Sequence, residues 1–115
     1  MKDPLGIIKK NGNQLETTEL GFLVNPNDWD EAVAEAIATQ EEIKLTEQHW
    51  EIIKFIRHYY RRFNHLPNMR VFSKAIRQQL GEEKGSTRYL YRLFPDGPLK
   101  YACKIGGLPK PPNCI

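Results

Sequence analysis

The sequence predicts a mostly helical α+β fold: a small N-terminal β-hairpin packed on an orthogonal bundle of about five helices, with a helix-turn-helix-like part and a flexible C-terminal arm. Three observations predict it. Asn11-Gly12 lies between two short runs near the N-terminus. From Trp29 to Ile105 apolar residues recur three and four positions apart, interrupted by cap and breaker residues. The last ten residues, Gly106 to Ile115, hold three prolines and two glycines, which no helix tolerates.

In the first element, Ile7-Ile8-Lys9-Lys10 and Gln14-Leu15-Glu16-Thr17 flank Asn11-Gly12-Asn13, and Asn-Gly favours a hairpin because both residues tolerate φ > 0. Gly21-Phe22-Leu23-Val24 extends it as a third short piece. Asn25-Pro26-Asn27-Asp28 then supplies a turn and a cap. Trp29, Val33, Ala36 and Ile37 follow at helical spacing, which sets helix one at about 28–41. Thr46 caps helix two, about 46–63, with an apolar stripe of Trp50, Ile53, Ile56, Tyr60 and Phe63. Leu66-Pro67 breaks it. Met69, Phe72, Ile76 and Leu80 define helix three, about 68–80, stopped by Gly81. After the polar loop Gly81–Gly85, Ser86 caps a fourth helix carrying Tyr89, Leu90, Leu93 and Phe94, ended by Pro95-Asp96-Gly97-Pro98. A short fifth helix, about 98–105, holds Leu99, Ala102, Cys103 and Ile105. The expected organisation is one globular domain, 1–105, and a mobile arm, 106–115, hinged at its glycines.

At 115 residues and 13.4 kDa this is a one-domain length. Folding takes about 19,000 Å² of chain surface to about 6,500 Å², enough for one modest core without a large enclosed cofactor site. The composition, 40% hydrophobic and 27% charged with a mean hydropathy of −0.59, is that of a globular domain. Apolar runs reach only three residues, as in Phe22-Leu23-Val24, so no membrane insertion is expected. Met1-Lys2-Asp3-Pro4 opens no signal-peptide-like stretch, and a cytoplasmic location is expected.

Charge is unevenly placed. Residues 1–53 carry 4 Lys/Arg against 11 Asp/Glu, a balance of −7, whereas residues 54–115 carry 13 against 3, a balance of +10. This points to an anionic partner, or else to acidic and basic halves that pack together and partly cancel.

The chemistry-bearing residues are few. Cys103 ends the last helix and Cys114 is penultimate in the chain. Cytosolic cysteine pairs more often mean catalysis, redox or metal binding than a stable disulfide. His49, His58 and His65 form no ligand pair with them at zinc spacing, so no metal and no cofactor is expected. Eleven extended residues reach at most about 36–40 Å, far enough for a thiol at the tip to enter another protein's active-site channel. Folded back at Gly106-Gly107, the same arm brings Cys114 towards Cys103. Lys100, Lys104 and Lys110 favour the thiolate; the Ile115 carboxylate and the helix C-terminus oppose it. From the residues alone, an incidental terminal cysteine beside a core cysteine is the competing reading.

The tail Ala102-Cys103-Lys104-Ile105-Gly106-Gly107-Leu108-Pro109-Lys110-Pro111-Pro112-Asn113-Cys114-Ile115 closely resembles the C-terminal arm of the DsrC/TusE family of sulfur carriers, also called gamma subunits of dissimilatory sulfite reductase. The likeness extends through Glu19-Leu20-Gly21-Phe22-Leu23, Asp28-Trp29, Leu45-Thr46-Glu47-Gln48-His49-Trp50, Met69-Arg70-Val71 and the run Gly81 to Pro95 followed by Gly97-Pro98. The resemblance implies a helical fold with an N-terminal hairpin and a mobile arm whose penultimate cysteine, here Cys114, carries sulfur as a persulfide. In the DsrC branch a second cysteine, here Cys103, joins it in a disulfide or trisulfide; in the TusE branch, which passes sulfur towards 2-thiouridine in tRNA, that cysteine is typically absent. Gly106 stands where the family usually has alanine, and Pro112-Asn113 replaces a Thr-Gly pair common in DsrC proteins, stiffening the tip. The loop from Gly81 to Ser86 resembles that of sulfur oxidisers and TusE proteins.

The expected function is therefore sulfur relay, a sulfurtransferase activity without autonomous small-molecule turnover. Expected donors are TusA-like and TusBCD/DsrEFH-like proteins. Expected acceptors are dissimilatory sulfite reductase in an oxidative sulfur pathway or, alternatively, a tRNA thiolation enzyme. Lys104, Lys110 and Arg70 are candidate partner-binding residues. A second class of function is a helix-turn-helix nucleic-acid-binding module, with weak DNA binding through Arg70, Lys74, Arg77, Arg88 and Arg92 on helices three and four. A third is an adaptor presenting Pro109-Lys110-Pro111-Pro112 as a PxxP ligand.

Overall fold

The computed structural model describes residues 7–10 and 13–111. Strands β1 (Ile7–Lys10) and β2 (Asn13–Glu16) pair antiparallel, with Ile7 opposite Glu16 and Lys10 opposite Asn13. This register puts only Asn11 and Gly12 between the strands, one residue fewer than the sequence suggested; both lie outside the described residues. The chain then folds back through a single bridge between Thr17 and Leu23, which buries Phe22 and Leu23. The third piece is thus a bridge rather than a strand.

Five α-helices follow: α1 (Glu31–Gln40), α2 (Glu47–Phe63), α3 (Met69–Leu80), α4 (Thr87–Leu93) and α5 (Pro98–Ile105). Side-chain caps fix four of the starts. Asp30, Thr46, Asn68 and Ser86 each accept a hydrogen bond from the backbone N–H three residues on. The first helix begins at Glu31 because Asp30 is its cap; Pro26–Asp28 form a separate 3₁₀ turn. Trp29, expected on the apolar stripe of helix one, instead sits in extended backbone between the two, with φ −80° and ψ 136°.

At Thr46 the reciprocal partner is a histidine. The Thr46 N–H donates to His49 Nδ1 at 3.1 Å while the His49 N–H donates to Thr46 Oγ1. The far ring nitrogen, Nε2, lies 2.8 Å from the Leu93 carbonyl; a carbonyl only accepts, so this is the Nε2–H tautomer, and it ties the start of α2 to the end of α4. The buried face of α2 is accordingly His49, Ile52, Ile53 and Ile56, rotated from the predicted stripe; Trp50 and Tyr60 are half-buried and Phe63 is exposed.

The core is a single cluster around α5, which packs on α1, α2 and α4 and buries six of its eight residues. No described helix is long and apolar enough to cross a membrane.

Candidate functional site

The last helix positions both the second cysteine and the start of the arm. Cys103 lies in the last turn of α5 and is fully buried. After Ile105 the chain closes a tight cap: the Gly107 N–H donates to the Lys104 carbonyl and the Leu108 N–H to the Cys103 carbonyl at 2.9 Å. These are the two bonds of a Schellman ending, with Gly107 in the left-handed region at φ +72° and Leu108 buried behind it. Gly106-Gly107, expected as a hinge, is therefore a folded helix terminus. The backbone bonding of α5 runs on to Leu108, and among the described arm residues Pro109 and Lys110 are exposed while Pro111 is buried.

Two side chains that the sequence does not place near the arm hold this cap. The Trp29 indole Nε1–H donates to the Ile105 carbonyl at 2.8 Å, and Arg57 Nη1 donates to the Gly106 carbonyl at 2.6 Å. The Arg57 guanidinium stacks 3.7 Å from the Trp29 ring centroid. Two carbonyls left without partners by the end of α5 are thus satisfied by a stacked pair from distant parts of the chain. Burial, and secondarily the Arg61 cation, lower the Arg57 pKa from its usual value, yet a guanidinium remains a cation in water. Gly107 is required here twice over: a β-carbon on it would lie 2.4 Å from Trp29 Cδ1.

Lys104 points inward. It is 6% exposed, its stem passes over Gly21 and its Nζ lies 2.6 Å from Glu41 Oε1 at the end of α1. Its charge is committed to the interior rather than to a partner. Lys110 and Arg70 are exposed. Cys114 lies outside the described residues. Among those described, no cluster of three or more His, Cys, Asp or Glu side chains is arranged to hold a metal ion.

The basic face expected of a helix-turn-helix is partly spent on local structure. Arg77 lies 3.9 Å from Glu82, Arg92 stacks over the Tyr89 ring, and Lys84 pairs with Glu51 at 2.7 Å. The Ser73 hydroxyl donates to the Gly85 carbonyl and pins the Gly81–Ser86 loop to α3. The Glu41–Lys104 and Glu51–Lys84 pairs also join the acidic and basic halves of the chain, so the two fields cancel in part.

The fold is thus a hairpin on a five-helix core, with a buried cysteine in the last helix and a capped helix end from which the proline-rich tail departs. The profile of the family described as DsrC like protein matches residues 9–115, and the chain belongs to that family. It is 59% identical over 104 residues to a protein of Photorhabdus laumondii named sulfurtransferase TusE, covering 90% of this chain and 94% of that one. A Yersinia pestis protein of the same name is 51% identical, with 95% and 100% covered. Among solved structures, Allochromatium vinosum DsrC superposes with a TM-score of 0.86 at 47% identity, covering 96% of this chain and 98% of that one. The oxidized gamma subunit of the dissimilatory sulfite reductase (DsrC) from Archaeoglobus fulgidus superposes with a TM-score of 0.81 at 38% identity, covering 95% and 99%. Membership of this sulfur-carrier family replaces the nucleic-acid-binding and adaptor readings.

Proposed function

We propose that this chain is a protein sulfur carrier in which Cys114 accepts sulfane sulfur as a persulfide and hands it to a partner enzyme. The near full-length likeness to proteins named sulfurtransferase TusE carries this reading. In the loading step the Cys114 thiolate attacks the outer sulfur of a donor persulfide, the donor S–S bond breaks, and the donor leaves as a thiolate. A Cys103 thiolate attacking Cys114 Sγ then releases hydrosulfide and leaves a Cys103–Cys114 disulfide. When Cys114 carries two sulfane sulfurs, attack of the Cys103 thiolate on the inner of the two breaks its bond to the terminal sulfur, which leaves as hydrosulfide, and a Cys103–Cys114 trisulfide remains.

The fold supports a division of labour between the two thiols. Cys103 is 0% exposed, so its exchange partner is a sulfur carried inward on its own arm rather than a bulk thiol. The fixed cap shortens the reach: six residues from Leu108 to Cys114 span at most about 20 Å, which suits a shallow channel or close docking. The presence of Cys103 supports a sulfite reductase as acceptor, as the DsrC resemblance implies. The 59% identity to a TusE protein supports a tRNA thiolation enzyme. TusA-like and TusBCD/DsrEFH-like proteins are the proposed donors, with a cytoplasmic location, and Lys110 and Arg70 are proposed to contact them. The test is a chase of radiosulfur-loaded protein against each acceptor. Transfer to tRNA that persists in Cys103→Ser assigns the thiolation branch, transfer requiring both cysteines assigns sulfite reductase, and labelled protein that releases sulfur to neither contradicts the carrier role.

A further inference from the structure

We propose that the groove between α2 and α3 is a docking site for an acidic amphipathic helix of a partner protein. This groove has a volume of about 650 Å³ and an apolar floor of Phe55, Phe63, Val71 and Ala75. Phe63 and Val71 remain 48% and 41% exposed, although they lie side by side with other apolar groups. Cations stand on both rims: Lys54 and Arg62 on α2, and Lys74 on α3. The single carboxylate lining the groove, Glu51, is held by Lys84 at 2.7 Å.

Shape and charge together specify the occupant. The lining positions on α2 run from Glu51 to Phe63, about 18 Å or a little over three helical turns, the length a short docked helix covers. Cations flanking an apolar floor complement a helix with an apolar stripe bordered by carboxylates. A nucleic-acid backbone calls for a continuous line of cations rather than two rims parted by an apolar floor, and a flat lipid surface does not enter a concave groove. The groove is also separate from the arm root: Phe55 and Arg57 are two positions apart on α2, about 200° around the helix. A partner seated there leaves the Trp29–Arg57 cap untouched, so body docking and arm delivery proceed together.

The experiment is a titration of the isotope-labelled full-length protein, followed by amide NMR shifts. Its probes are two synthetic three-turn helical peptides with one leucine face, flanked by glutamates in one and lysines in the other; a single-stranded oligonucleotide and phosphatidylglycerol vesicles are added separately. The glutamate peptide is expected to saturate with shifts confined to Phe55, Tyr59, Phe63, Val71, Lys74 and Ala75, and to bind about tenfold tighter than the lysine peptide. In the double variant Arg62→Glu/Lys74→Glu that preference reverses, and the spectrum itself reports that the fold is intact. In Phe63→Ser the glutamate peptide weakens while its charge preference persists. Equal affinity for the two peptides, shifts mapping off the groove, or a stronger response of the same residues to oligonucleotide or vesicles overturns the proposal.

Discussion

Replacing Gly107 with alanine tests the idea that the arm's root is a built cap rather than a hinge. An L-residue held at φ +72° costs about 1 kcal/mol. The new β-carbon would stand 2.4, 2.5 and 2.7 Å from Trp29 Cδ1, Cγ and Cβ, distances at which the indole has to move. Displacing it breaks the Trp29–Ile105 hydrogen bond, about 1 kcal/mol net, and the Arg57 stacking, about 1 kcal/mol at a partly buried site. The expected loss is about 3 kcal/mol of unfolding free energy, or a fall in Tm of about 12 °C for a domain of this length. Urea unfolding followed by circular dichroism reads the first, and a thermal scan reads the second. A true hinge glycine tolerates alanine; a variant within about 0.5 kcal/mol of the parent contradicts the cap.

Other substitutions probe neighbouring parts of the structure. Glu41→Ala strands the buried Lys104 cation and is expected to cost about 3 kcal/mol in urea unfolding, whereas the paired replacement Glu41→Ala/Lys104→Met recovers most of it. Thr46→Val removes the reciprocal cap with His49 and lowers stability by about 1–2 kcal/mol in the same assay. The Tyr89 hydroxyl is buried without a hydrogen bond among the described residues, so Tyr89→Phe is expected to be neutral or to stabilise by about 1 kcal/mol. Burial raises the Tyr89 phenol above its ordinary value of 10.0, outweighing the opposing Lys84 cation. The folded state therefore holds that proton more tightly than the unfolded chain. Its contribution is complete below about pH 10 and is lost as pH rises through the higher folded value. Absorbance titration of the tyrosines is expected to show a late component that Tyr89→Phe removes.

The elements were legible because their punctuation is local. Thr46, Ser86, Gly81 and Pro67 act within a turn of where they stand, and each helix was found within about three residues. The core stripe of α2 was misplaced by part of a turn because Trp50 and Tyr60 carry large rings at the same helical spacing as the core isoleucines, and His49 is held in its buried place through Leu93, 44 positions away. Of the candidate site, the two cysteines and the flanking prolines are legible as residues, and Cys103 falls in the expected fifth helix. The site's supports are not: Trp29 meets Ile105 across 76 positions and Arg57 meets Gly106 across 49. Lys104 reads as a surface cation in any local window, and only the fold of α1 against α5 turns it inward to Glu41. Likewise, two adjacent glycines read as a hinge until the backbone bonds of Gly107 and Leu108 reveal a helix cap.

The most direct test of sulfur carriage is intact mass under non-reducing conditions after incubation with inorganic polysulfide or a persulfidated cysteine desulfurase. The parent protein and Cys103→Ser are expected to gain about 32 Da for each sulfur atom, Cys114→Ser is expected to gain none, and a trisulfide mass should require both cysteines. Sulfur loading on Cys114→Ser equal to the parent, or no gain on any form across both donors, contradicts a persulfide carrier at Cys114.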